Sequence, residues 1–147
     1  MIELLHRALT DRVLAVFYQV HRELGGGFLE KVYHRALVIA LREAGLRVAE
    51  YVPVVVWFRG QLIGDFIADI VVEDVLLLEI KAVANIEGKH NAQALNYLRG
   101  SDLELGFVLN FGPSPQFQRL IYTNDRKLRL PSVTSFASGT ADPSASV

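Results

Sequence analysis

Residues 48–81, VAEYVPVVVWF-RGQ-LIGDFIADIVV-ED-VLLLEIK, decide the fold. Three runs rich in valine, isoleucine, leucine and aromatics are separated by Arg59-Gly60-Gln61 and by Glu73-Asp74. β-branched and aromatic residues favour strands, and short polar or glycine-bearing breaks between such runs mark turns. The pattern predicts strands over 48–58, 62–72 and 75–81, joined as an antiparallel meander.

On the N-terminal side apolar residues recur at helical spacing. Residues 2–24 form one predicted helix, with Val13, Val16, Phe17, Val20 and Leu24 in a single stripe ended by Gly25-Gly26-Gly27. A second helix is predicted over 28–44, its stripe made by Leu29, Val32, Tyr33, Ala36, Leu37, Ala40 and Leu41, with Gly45 as C-terminal cap. On the other side, 88–99 predicts a third helix and 103–111 a buried strand broken by Gly112-Pro113-Ser114-Pro115. A fifth strand is predicted over 117–123. From Pro131 the chain is Ser, Ala, Thr and Pro with no large apolar residue after Phe136, which reads as a disordered tail over 131–147 behind one domain over 1–130. Helix, helix, three strands, helix, then one or two strands is an α/β sandwich with a mixed central sheet flanked by helices.

Composition narrows the function. The chain has 147 residues, 51% of them hydrophobic, which suits one domain with a real core. It has no cysteine, which excludes disulfides, thiolate metal sites and cysteine nucleophiles and fits a reducing, cytoplasmic setting. Glu3, Arg7, Asp11 and Arg12 interrupt the N-terminus, so no signal-peptide core forms there, and no apolar run reaches the ~20 residues of a membrane span. The net charge of -1 and pI near 6.4 argue against a protein that holds nucleic acid through phosphates alone. They leave room for a nuclease, whose acidic metal ligands offset basic residues in the total.

Chemistry concentrates around Asp69, Glu79 and Lys81. Residues two apart on a strand share a face, so Glu79 and Lys81 point one way and Leu78 and Ile80 the other. A turn at Glu73-Asp74 places Asp69 opposite Leu78, within one residue of Glu79. Two carboxylates and an ammonium on apolar strands are costly without a purpose, and a hard divalent cation such as Mg²⁺, which takes oxygen ligands, supplies one. Lys81 would then position the attacking water or steady the charged phosphorane. The plainer reading is a pair of edge carboxylates with Lys81 as ion-pair partner. Glu30, in line with Tyr33 and Leu37, reads either as a third acidic group or, more simply on spacing, as a first-turn Glu that favours the helix dipole. Gln93 and Tyr97 lie one turn apart on the third helix. Lys89, His90 and Asn96 are weaker candidates for substrate contact, and His6, His21 and His34 lack metal-ligand spacing. No phosphate-cradling loop, dinucleotide fingerprint or nucleophile elbow is present. Phe107, Phe111 and Phe117 read as core, and no basic patch is evident.

These landmarks resemble the GxxExxY protein family, whose name is spelled by Gly27, Glu30 and Tyr33 and which is placed in the PD-(D/E)xK nuclease superfamily. The resemblance runs over residues 5–125 and takes in Gly60, Gly64, Ala68-Asp69, Glu79-Ile80-Lys81, Gln93 to Leu98 (QALNYL) and Gly106 to Gly112 (GFVLNFG). It implies a restriction-endonuclease-like α-β-β-β-α-β core. It implies metal ligation by Asp69, Glu79 and the backbone carbonyl of Ile80, a catalytic Lys81 assisted by Gln93 and Glu30, and supporting roles in substrate binding for Tyr33 and Tyr97. Ala68 stands where the superfamily name has proline. The expected function is Mg²⁺- or Mn²⁺-dependent hydrolysis of DNA or RNA phosphodiesters, with nucleic acid as partner. The competing expectation is a non-catalytic binding or regulatory module on the same scaffold. The resemblance also implies that a homodimer is a natural form.

Overall fold

The computed structural model describes residues 2–127. The expected tail over 131–147 lies outside the described residues. In order the elements are α1 (Ile2–Leu5), α2 (Arg7–Leu24), α3 (Glu30–Glu43), β1 (Val48–Phe58), β2 (Gln61–Val72), β3 (Leu76–Lys81), α4 (Gly88–Arg99), β4 (Leu105–Phe111) and β5 (Pro115–Ile121), followed by a 3₁₀ turn at Asn124–Arg126. The five strands form one sheet in sequence order. β3 pairs with β4 in parallel and every other pairing is antiparallel, so the sheet is mixed. Among the described residues no helix is long and apolar enough to cross a membrane.

Two apolar cores sandwich the sheet. On one face Val13, Phe17 and Val20 of α2 and Tyr33, Leu37 and Leu41 of α3 meet Ile70, Val72, Leu78, Ile80 and Phe107. On the other face Ala94, Tyr97 and Leu98 of α4 meet Val54, Ala68, Val71, Leu77 and Val108. β3 is therefore covered on both faces, which explains its nearly unbroken run of leucines.

Three expectations are corrected. The first helix divides at His6, which leaves helical geometry (φ -113°, ψ 19°); neither glycine nor proline signals the break. α3 starts at Glu30, not at residue 28, and Leu29 is exposed as its N-cap. Gly27 adopts φ +109°, a conformation that L side chains rarely take, and the loop turns there before the helix can begin. The β2–β3 turn holds three residues instead of two: Val75 N–H bonds Val72 C=O (3.0 Å), and Val72 faces Leu76. This moves the register by one and aligns Ile70 with Leu78. The following position on β2, Asp69, thus comes level with Glu79 instead of Leu78.

The hairpin of β1 and β2 changes face at that level. Ile70 and Val72 belong to the first core, but Ala68 belongs to the second. Val48 packs on the first core, whereas Val52 and Val54 pack on the second. Tyr51 marks the crossover, with φ +51°. Strands alternate strictly unless something intervenes, and here both strands of the hairpin switch together beside Asp69.

Candidate active site

The end of the β2–β3 ladder brings the first two acidic residues together. The Asp69 carboxylate accepts the Ile80 N–H through Oδ2 (2.8 Å), and Glu79 Oε1 lies 3.4 Å from the Asp69 N–H. Side chains thus take over where strand pairing stops. Glu79 is 3% exposed. Burial first, and then the nearby charge of Asp69, pushes its carboxyl up to about 8. Burial also raises Asp69, opposed mainly by the Ile80 N–H. Among the described residues neither carboxylate has a cation within ion-pair distance.

Lys81 lies on the same face as Glu79 and reaches across to α4. Its ammonium donates to Gln93 Oε1 (3.1 Å), and Gln93 Nε2 donates to the Tyr97 hydroxyl (3.2 Å). Both ends of the Gln93 amide are thus engaged, one with Lys81 and one with Tyr97. Tyr97 is 7% exposed; burial, followed by the charges of Glu79 and Asp69, raises its phenol above the ordinary range. The hydroxyl therefore stays neutral.

Glu30 stands at the rim, on the first turn of α3. Its pKa is raised by partial burial, against the pull of Lys81. Asp69 and Lys81 both act on its charge, so Glu30, Asp69, Glu79, Lys81, Gln93 and Tyr97 form one neighbourhood.

Three expected site residues have structural partners of their own. Tyr33 is fully buried: its hydroxyl donates to Gly25 C=O and accepts the Phe28 N–H (3.1 Å), and its ring stacks on Phe111 at 4.7 Å. It anchors the loop that delivers Glu30 and has no surface left for substrate. The glycine, glutamate and tyrosine of the motif thus bend, project and tie one turn. His90 is buried and accepts the Glu87 N–H at Nδ1 (2.9 Å), capping α4. Lys89 is exposed and pairs with Glu87 at 3.4 Å.

Two groups were not read as parts of the site from the sequence. Asn110 sits beside Lys81 in the parallel β3–β4 register and is fully buried. Its amide makes a reciprocal pair with the Val83 N–H and C=O, both at 2.9 Å. Gln116 accepts from Asn110 and from the Ile86 N–H, so the loop leaving Lys81 is clamped to β4 and β5. A Cβ on Gly112 would come within 2.2 Å of the Val83 carbonyl, so that approach demands glycine. The second group is His34, buried one turn after Glu30. It bonds Glu50 (2.9 Å) and stacks on Tyr51 (4.7 Å), supporting the kink beside Asp69. Their signal was the presence of polar residues on otherwise apolar faces.

The donor set suits a hard cation. Glu79 is buried and Asp69 half-buried, the charge of Asp69 raises the Glu79 pKa, and among the described residues neither has a cation within ion-pair distance, Lys81 being bonded to Gln93. Among the described residues no group of three or more Asp, Glu, His or Cys side chains is gathered as a metal cage. Mg²⁺ typically uses one or two protein carboxylates and keeps several waters. Asp69 and Glu79 would hold the ion, with the Ile80 carbonyl as a further oxygen donor.

Comparison with known proteins gives one match. Searches among curated proteins and among solved structures return none. A family model described as the PD-(D/E)XK nuclease superfamily matches residues 7–120, from the first residue of α2 to the last but one of β5. Every residue of the Asp69–Glu79–Lys81–Gln93 neighbourhood lies within that span, and the chain belongs to the PD-(D/E)XK nuclease superfamily.

Proposed function

We propose that the chain is a divalent-metal-dependent phosphodiester hydrolase acting on nucleic acid. The observation that carries this reading is the carboxylate pair, Asp69 and Glu79, without an ion-pair partner among the described residues, beside the Lys81 ammonium that donates to Gln93. Bound Mg²⁺ or Mn²⁺ would supply Lewis acidity and a water more readily deprotonated than bulk water. Asp69 and Glu79 bind it, the more tightly once Glu79 has lost its proton. Lys81 spends one N–H on Gln93 and keeps two for the attacking water or a phosphate oxygen, where its charge opposes the negative charge that builds up during attack. Glu30 at the rim offers a third carboxylate for water held near the ion. Gln93 and Tyr97 keep Lys81 from swinging into an ion pair with Glu79.

The test is cleavage of plasmid DNA, single-stranded DNA and RNA with Mg²⁺ or Mn²⁺. Lys81→Ala is expected to lower the rate about 100- to 1000-fold, and Asp69→Asn to abolish both cleavage and calorimetric metal binding. Equal activity in wild type and Lys81→Ala overturns the reading. Metal binding without cleavage of any substrate would favour the binding-module alternative.

A further inference from the structure

A cavity of about 530 Å³ lies between the free end of the β1–β2 hairpin, the C-terminal end of α4 and the segment after β5. Trp57 and Phe66 line it from the hairpin, Asn96 and Arg99 from α4, and Tyr122 and Arg126 from beyond the sheet. A β-bulge shapes the hairpin wall. Val56 pairs with Gly64 but Trp57 with Leu62, so Ile63 is the extra residue, and Val56 and Trp57 border one cavity although neighbours on a regular strand would point apart.

The charge here is one-sided. The guanidinium carbons of Arg99 and Arg126 lie 5.8 and 4.4 Å from the Tyr122 ring centre. Among the described residues neither arginine has a carboxylate partner, and none that line the cavity is acidic. Two cations gathered on one aromatic ring without a counter-charge complement an anion. The aromatic walls add flat faces, and an anion that also carries flat apolar faces is a nucleotide.

One side chain of the cavity wall touches the site. Phe66 packs on the ring of Tyr97 at 5.4 Å, and the Tyr97 hydroxyl meets Gln93. Arg99 lies six residues after Gln93 on α4, about 9 Å along the helix axis.

We infer that this cavity binds a single-stranded stretch of nucleic acid flanking the reacting phosphate, with a base against Trp57 and phosphates at Arg99 and Arg126. The inference rests on the hydrolase reading for the position of the reacting phosphate. A base in a duplex offers no free face to an aromatic ring, so the cavity selects unpaired strands. An apolar peptide would leave both guanidinium groups without a partner.

Trp57 is the chain's single tryptophan, so its emission reports the cavity directly. The full chain is titrated with oligothymidylate, oligouridylate and a duplex of equal length in magnesium-free buffer. Both single strands are expected to quench Trp57 and the duplex to do so at least tenfold more weakly; the two single strands against each other distinguish DNA from RNA. Arg99→Ala/Arg126→Ala changes two exposed residues and leaves the fold intact. It is expected to weaken binding tenfold or more and to flatten the logarithmic salt dependence by about 0.7 per lost phosphate contact. Unchanged affinity in the double variant, equal quenching by duplex, or quenching that follows protein concentration without nucleic acid (a second copy in the cavity) overturns the inference. Cleavage by wild type without Trp57 quenching defeats the inference and spares the hydrolase, whereas quenching without cleavage under any metal does the reverse.

Discussion

β3 buries Glu79 to 3% exposure among leucines, while at the far end of the β1–β2 hairpin Leu62, Ile63 and Ile67 stand 51, 63 and 49% exposed. Both places reverse the usual sorting of polar and apolar residues, and the reasons differ. β3 has a strand on either side and helices over both faces. A carboxylate there stays out of water because no neighbour can yield. β1 and β2 span 11 and 12 residues against the six of β3, so the hairpin outruns the sheet and, among the described residues, Leu62, Ile63 and Ile67 stay about half uncovered. A buried charge and an exposed apolar surface both work against stability, and such departures collect where a protein binds or reacts.

The contrast predicts a graded series of effects. Leu78→Ala removes a fully buried side chain from β3 and is expected to cost about 2–5 kcal/mol in urea unfolding. Glu79 gives a pH signature in the metal-free protein. Its folded pKa, raised to about 8, lies above the ordinary 4.5, so the folded state retains a proton that the unfolded chain has lost. Its contribution is fully present below pH 4.5 and is lost as pH rises towards about 8, at up to ~1.4 kcal/mol per pH unit and on the order of a few kcal/mol in all. Glu79→Gln should flatten that slope, and a Gln variant less stable than wild type at pH 8 would contradict the assignment. Asn110→Ala leaves the Val83 N–H and C=O without their partner and is expected to cost about 1–3 kcal/mol. It should also speed amide hydrogen exchange over residues 82–87. Ile63→Thr, at the exposed end of the hairpin, should move stability by no more than about 0.5 kcal/mol.

The fold was largely legible because its signals are local. Alternation in β3 placed Glu79 and Lys81 on one face and Leu78 and Ile80 on the other, and the structure has them so. Helical spacing put Gln93 beside Tyr97, and they are bonded. What escaped depends on positive φ at residues that are not glycine. Glu73 and Asp74 take φ +54° and +57° in a three-residue turn, and Tyr51 takes +51° at the point where the hairpin changes face. Asp74 tolerates such an angle but Glu73 and Tyr51 have no preference for it, so the register of Asp69 came out one position wrong. Tyr33 misled for a different reason: spacing gives the direction of a side chain on a helix but not the loop waiting there to receive it. The basic and aromatic cavity was invisible because Trp57, Arg99 and Arg126 meet only through tertiary packing.

The kink at Tyr51 has an effect outside the site. β1 is an outer strand of the sheet, and a long outer strand offers a row of unpaired amides on which other chains can grow into aggregates. Tyr51 bends that row, and Pro53, two residues on, deletes one of its N–H groups. The distortion that lies beside Asp69 also blunts the template, so straightening it would trade solubility along with geometry.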